Sequence, residues 1–131
     1  MRWRSAACFV LSALYFVAGV AHLRTPAGFV AIVPGWVPYP HEVVLITGLA
    51  ELAGAAGLLI PPLRKGAGLG LALYALCVWP ANIHQALNDI PIGTLHLSWW
   101  YHGPRLVLQP FIVWWALWAG RVIDWPFGKR L

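Results

Sequence analysis

The chain has 131 residues, of which 60% are hydrophobic and 10% charged, with a mean hydropathy of +0.70. That leaves too little polar surface to coat a soluble globule of this size, so the composition excludes an ordinary soluble domain and points to one integral membrane domain. The formal net charge of +5 would suit nucleic acid in a soluble protein, but here the basic residues flank apolar runs, so a lipid bilayer is the expected partner and nucleic acid is not.

The chain begins with a basic segment, Met1 to Arg4, and continues in an apolar run of nineteen residues, Ser5 to Leu23, broken only by Ser12 and His22. Full spanning length favours a transmembrane helix over a secretory signal, for which Val20-Ala21 offers only a weak cleavage pattern. Arg24 to His41 reads as a loop. In it Thr25-Pro26 has the form of an N-cap with proline at the first helical position. Phe29, Ile32 and Val33 give the following segment an apolar side suited to the membrane interface, and the Pro34 to Pro40 run ends it. Trp36 and Tyr39 suit headgroup depth.

The second apolar run, Glu42 to Ile60, leads through the basic turn Pro61 to Lys65 into a third, Gly66 to His84, which Pro80 should bend. Gln85 to Pro104 reads as another loop, with Leu95, Leu97, Trp99, Trp100 and Tyr101 in the interface. A shorter fourth helix is predicted from about Arg105 to Gly120, kinked at Gln109-Pro110, before a basic tail. The expected fold class is therefore all-α: a transmembrane four-helix bundle over residues 1–131, with interfacial segments in the two outer loops.

Charge orients the predicted spans. Placing the N-terminus inside puts Arg2, Arg4, Arg64, Lys65, Arg121, Lys129 and Arg130 on the inner side, against Arg24 and Arg105 outside, which satisfies the positive-inside rule. Both termini should face the cytoplasm of a bacterial inner membrane. Small residues at Gly48, Ala53, Gly54 and Gly57, and the Gly66-xxx-Gly70 pair, predict close helix packing. Cys8 and Cys77 differ in predicted depth by roughly 10 Å at about 1.5 Å per residue, beyond disulfide reach, so two unpaired thiols are expected.

Glu51 is the residue that most demands a reason, because a carboxylate near the middle of an apolar span costs at least a few kcal/mol. It lies about 13 Å below the outer end of its helix at about 1.5 Å per residue. His22, Asn82, His84 and Gln109 lie nearer the outer ends of the other three spans, so the polar groups cluster in the outer half. The clustering describes an outer-facing pocket. Two states of Glu51 fit: a neutral acid donating a hydrogen bond, or an ion pair with His22. Either suits a carbonyl, hydroxyl or quinone head group, and either could pass a proton. The bland alternative is a structural clamp bonded to Asn82 or Gln109. His41, His96 and His102, in predicted outer loops, should be solvated. Ligand types at His22, His84 and Glu51 suit zinc or iron, but no short-range spacing supports a metal site and none is expected.

The segments Phe16 to Leu23, Ile32-Val33-Pro34 with Pro38-Tyr39-Pro40, Thr47 to Leu52, Gly57 to Pro61 and Val78 to Ile83 together resemble the DoxX-like family of small four-helix membrane proteins. That resemblance implies a redox-associated subunit, a possible quinone cofactor and a membrane or periplasmic redox partner. In this reading Glu51 and His22 are the candidate catalytic pair, and Asn82, His84, Gln109 and Trp36 the candidate ligand-binding residues. The alternatives are a non-catalytic membrane chaperone or assembly factor, and a small transporter component, which would need a homodimer to enclose a pathway.

Overall fold

The computed structural model describes residues 2–92 and 94–128, so Lys129 and Arg130 of the predicted inner charge set lie outside the described residues. The regular elements of the described chain are helices: α1 Arg2–Arg24, the short α2 Pro26–Val30, α3 Pro40–Leu59, a 3-10 turn Pro61–Leu63, α4 Arg64–Leu87 and α5 Trp99–Ala119. Among the described residues the only extended pairing is an isolated antiparallel bridge between Ile92 and Leu95. Three helical stretches, Arg2–Arg24, Pro40–Leu59 and Pro61–Leu87, are long and apolar enough to cross a membrane. α5 has the length but is not among them. Its apolar run is diluted by His102, Arg105, Gln109, two internal prolines and a high share of Trp, so the predicted fourth span is not established by composition.

Every long helix begins before its predicted run does, and α1 and α4 also end beyond theirs. α3 starts at Pro40 because Tyr39 takes a left-handed conformation (φ 51°) and proline at the first helical position is pre-set for the turn. α4 starts directly off the 3-10 turn, where Arg64 Nε donates to Leu58 O at 2.7 Å and satisfies a carbonyl at the end of α3. The larger departure is α5, which begins at Trp99 instead of Arg105. Ser98 caps it, its hydroxyl accepting from the Trp100 amide at 3.3 Å, so Trp99, Trp100 and Tyr101 are helical and not part of a loop. Pro110 interrupts the same helix by leaving Leu106 O without its usual amide donor, and the Trp79 indole on α4 supplies one at 3.1 Å. Thr25 does precede a proline-led helix, but its hydroxyl donates back to Ala21 O at 2.9 Å and makes no side-chain cap for α2.

Sequential long helices run antiparallel. Ser12 Oγ donates to Ala55 O, tying α1 to α3; Gly54 packs on Leu71 between α3 and α4; Gln109 Nε2 donates to Ala75 O between α5 and α4; and the Trp115 indole donates to Ala7 O between α5 and α1. Small side chains occupy the interior, including Ala55, Ala72, Ala75, Ala116 and Ala119, while Phe9, Leu14, Phe16, Val17, Ile46, Leu49 and Leu73 are exposed. That is the reverse of a soluble protein's segregation and the arrangement that lets helix backbones approach. At the α1–α3 crossing, a Cβ on Gly19 would stand 2.9 Å from Gly48 O, and one on Gly48 would stand 2.7 Å from the His22 Cβ. The Gly66–Gly70 pair is not used in this way: nothing lies within 4 Å of a Cβ at either position. Cys8 and Cys77 are both free thiols.

Arg4, which reads from sequence as a topology charge, is buried at 7% exposure and holds α1 to the end of α5. Its guanidinium donates to Trp118 O through Nε (2.9 Å) and Nη2 (2.6 Å), to Ile123 O (2.9 Å), and pairs with Asp124 at 2.8 Å. A cation at a helix C-terminus also opposes the negative end of the helix dipole. Arg4→Ala should therefore lower unfolding stability in mild detergent by about 3 kcal/mol, the cost of breaking a buried ion pair, whereas Arg2→Ala, at an exposed position, should change it by less than about 0.5 kcal/mol. Equal effects of the two substitutions would refute the clamp.

Candidate ligand cavity

A cavity of about 560 Å³ opens between all four long helices, α2 and the Ala31–Tyr39 segment. Its wall comes from the C-terminal halves of α1 and α4 and from the facing parts of α3 and α5, so it occupies the end of the molecule at which α1 finishes and α3 begins. Leu11, Leu14, Ile32, Val44, Val78 and Ile112 make it mainly apolar. The polar groups are few, chiefly Glu51, Tyr74, Tyr15, His22, Thr47, Asn82, Gln109 and Arg105, with the Cys77 thiol. Its size falls in the range of about 300–1,000 Å³ typical of small-molecule sites, and apolar walls with a few polar groups are their usual lining.

Glu51 is 2% exposed. Its Oε1 accepts a hydrogen bond from the Tyr74 hydroxyl on α4, while Oε2 is buried and has no hydrogen-bond partner. The clamp imagined from sequence, with Asn82 or Gln109 as donor, is thus replaced by one in which Tyr74 is the donor; Gln109 Nε2 is directed to the Ala75 carbonyl at 2.9 Å. Thr47, one turn above Glu51, donates its hydroxyl to Val44 O at 2.8 Å. Tyr15 packs edge-on against the Tyr74 ring, with centroids 6.1 Å apart.

His22 faces Glu51 across the tight α1–α3 crossing, with Nδ1 3.6 Å from Oε1. The same Nδ1 lies 2.8 Å from Ala18 O. A carbonyl can only accept, so Nδ1 carries the proton. In the neutral ring Nε2 is then the acceptor, and proton uptake there would complete an ion pair with an ionised Glu51. Phe29, on α2, stacks on the imidazole with centroids 3.8 Å apart and holds the ring in this plane. The short helix expected at the interface thereby becomes part of the cavity wall.

Of the other residues singled out from sequence, Asn82 (8% exposed), Gln109 and Trp36 line the cavity, Trp36 at its mouth with 77% exposure. His84 does not line it. It lies further along α4, where Asn88 Nδ2 donates to its carbonyl at 2.9 Å and approaches its Nδ1 at 3.1 Å. Among the described residues no three His, Cys, Asp or Glu side chains converge as a metal site would require. His102 overturns its expected solvation: α5 begins early enough to include it, and it is 3% exposed with Nε2 unpartnered, flanked by the rings of Trp99 and Tyr101. His96 is exposed, 3.3 Å from Asp89.

Sequence reasoning missed Tyr74, Tyr15 and Arg105. The signal was present for the tyrosines: two of the four in the chain stand in the middle of apolar runs, where a phenol needs a partner. Arg105, read only as an outer-side charge at the start of the fourth helix, lies within α5 and lines the cavity. Its guanidinium donates to Gln85 and sits 5.4 Å from the Tyr101 ring centroid.

The fold and the cavity define a helical protein with three membrane-length apolar helices around a ligand-sized space. The chain belongs to the family described as Domain of unknown function (DUF8561), whose model matches residues 11–120. Comparison with curated proteins and with solved structures gave no match. The resemblance to the DoxX-like family does not hold, because the matching family is not a DoxX family. The residues that suggested it meet general packing needs here: Gly19 and Gly48 allow the α1–α3 contact, and Gly57 lies against Ala67. Tightly packed apolar helices impose such needs whatever their ancestry. The redox-subunit role, the redox partner and the quinone cofactor that the resemblance implied lose that support.

Tyr74→Phe should leave the Glu51 carboxyl without its donor. The infrared carboxyl band of Glu51, identified by its loss in Glu51→Gln, should shift, and stability should fall by about 1.5–3 kcal/mol. An unshifted band would mean that the two groups do not interact.

Proposed function

We propose that the chain is an integral protein of a bacterial inner membrane, a transmembrane four-helix bundle with both termini cytoplasmic, that binds a small apolar molecule carrying one hydrogen-bonding head group. The observation that carries the reading is Glu51 Oε2: a buried, unpartnered oxygen on the wall of a mainly apolar cavity. Leaving such a group unsatisfied costs about 1–3 kcal/mol or more, and a ligand head group that supplies the missing partner removes that cost. An ionised Glu51 accepts from a hydroxyl; a protonated one donates to a carbonyl. Tyr74 fixes the carboxyl plane through Oε1 in both cases. His22, 3.6 Å away, is the second proton-carrying group and allows a proton to be taken up beside the ligand. Asn82 and Gln109 line the same space and orient the rest of the head group.

The membrane part of the proposal draws on the three long apolar helices and on the outward-facing Phe9, Phe16, Val17, Ile46 and Leu73. α5 contributes a fourth span through its 21-residue length and its packing along α4. An assembly factor using small-residue faces has less to draw on, because Gly19, Gly48, Gly54, Gly57 and Gly68 are occupied by the chain's own neighbours.

The test has two parts. The protein should stay with the membrane through an alkaline carbonate wash. Native mass spectrometry after mild extraction, with organic extraction of the same sample, should then find one apolar molecule per chain in wild type, lost in Glu51→Gln and in the cavity-filling Ala81→Phe. A ligand-free wild type, or a ligand retained equally by both variants, would remove the cavity as its site.

A further inference from the structure

At the opposite end of the molecule from the ligand cavity, a second cavity of about 210 Å³ is lined by Arg4, Ser5, Cys8, Phe9, Leu59, Arg64, Ala119 and Arg121. Three of its eight lining residues are arginines and none is acidic. The space amounts to several waters' share of about 30 Å³ each. We propose that it is a phosphate site for the headgroup of an anionic phospholipid.

The guanidiniums divide the work. Arg4 is committed to structure, holding Trp118 O, Ile123 O and Asp124. Arg64 uses its Nε–H on Leu58 O and makes a second hydrogen bond to the Cys8 thiol, which leaves the rest of its guanidinium N–H groups as donors. Arg121 follows the last turn of α5, in a left-handed conformation (φ 60°), and is exposed. Arg64 and Arg121 thus supply the two forks for an anion, the geometry that suits phosphate oxygens.

Two helix C-termini end beside the cavity, and their carbonyls would repel an anion. One carbonyl of each is already covered: Arg64 caps Leu58 O and Arg4 caps Trp118 O. With three guanidiniums at the cavity, the positive charge outweighs the partial negative charge of the two helix ends.

The lip decides the source. Phe9 is 66% exposed and Leu59 43% exposed, so the basic cavity borders the apolar outer face of α1 and α3. A free phosphate ion has no use for that border. A phospholipid does, its phosphate on Arg64 and Arg121 and its acyl chains against Phe9 and Leu59, as basic pockets between membrane helices hold anionic headgroups. This inference rests on the membrane reading but not on the ligand cavity.

The experiment is native mass spectrometry of the full chain in mild detergent, titrated separately with phosphatidylglycerol, phosphatidylcholine and inorganic phosphate. Wild type should retain one phosphatidylglycerol in preference to phosphatidylcholine. Each of Arg64→Gln and Arg121→Gln should weaken that retention by about fivefold, as expected for one guanidinium at an anionic surface. Lys65→Gln makes the same charge change outside the cavity and should have no such effect, and Glu51→Gln should retain the lipid as wild type does. Arg121→Gln keeps the test informative if loss of the Arg64 cap unfolds the chain, with circular dichroism as the check. Equal retention of the two lipids, or a Lys65→Gln effect as large as that of Arg121→Gln, would overturn the proposal. Retention of inorganic phosphate with no lipid preference would assign the site to a soluble anion and overturn it as well.

Discussion

The closeness of α1 and α3 at Gly19 and Gly48 is the constraint on which the rest depends. A single Cβ on Gly48 would collide with the Cβ of His22, and one on Gly19 with the Gly48 carbonyl. Because the two backbones meet there, His22 and Glu51 are brought within 3.6 Å from helices that run in opposite directions. The same crossing holds the end of α1 where α2 can fold back and stack Phe29 on the imidazole. Widen it by a methyl group and the wall of the cavity moves apart.

The two ends of the molecule then solve opposite electrostatic problems. At one end a carboxyl is taken out of water, and the chain satisfies half of it with Tyr74 and leaves the other oxygen to the cavity. At the other, Arg64 and Arg4 each cover a carbonyl near the end of α3 and of α5, and Arg64 and Arg121 retain donors. Between the ends the interior is made of alanine, glycine and a few large residues such as Leu11, Leu58 and Leu71. Small interior side chains permit close helices, and close helices need their few polar groups placed where they have partners.

The family match changes how the site is to be understood. Without the DoxX-like resemblance no redox role attaches to Glu51, and the case for a ligand rests on the local chemistry of one carboxyl. That is narrower ground and easier to test, because it concerns a single oxygen and a single phenol.

The sequence by itself determined the helical class, the three membrane-length apolar runs and the abnormality of Glu51, since hydropathy and a misplaced charge are properties of the chain read one residue at a time. It also brought His22, Asn82, His84 and Gln109 under suspicion by depth alone. Only the tertiary structure decided that Tyr74 is the carboxyl's partner, that His84 lies outside the cavity, that His102 is buried and that Arg4 and Arg64 cap helices. Those facts depend on the rotation of each helix about its axis and on where it begins, which apolar patterning leaves open when lipid surrounds the outer faces. The start of α5 was lost for a related reason: Pro104 and a run of aromatic residues look like loop until Ser98 is seen to cap them.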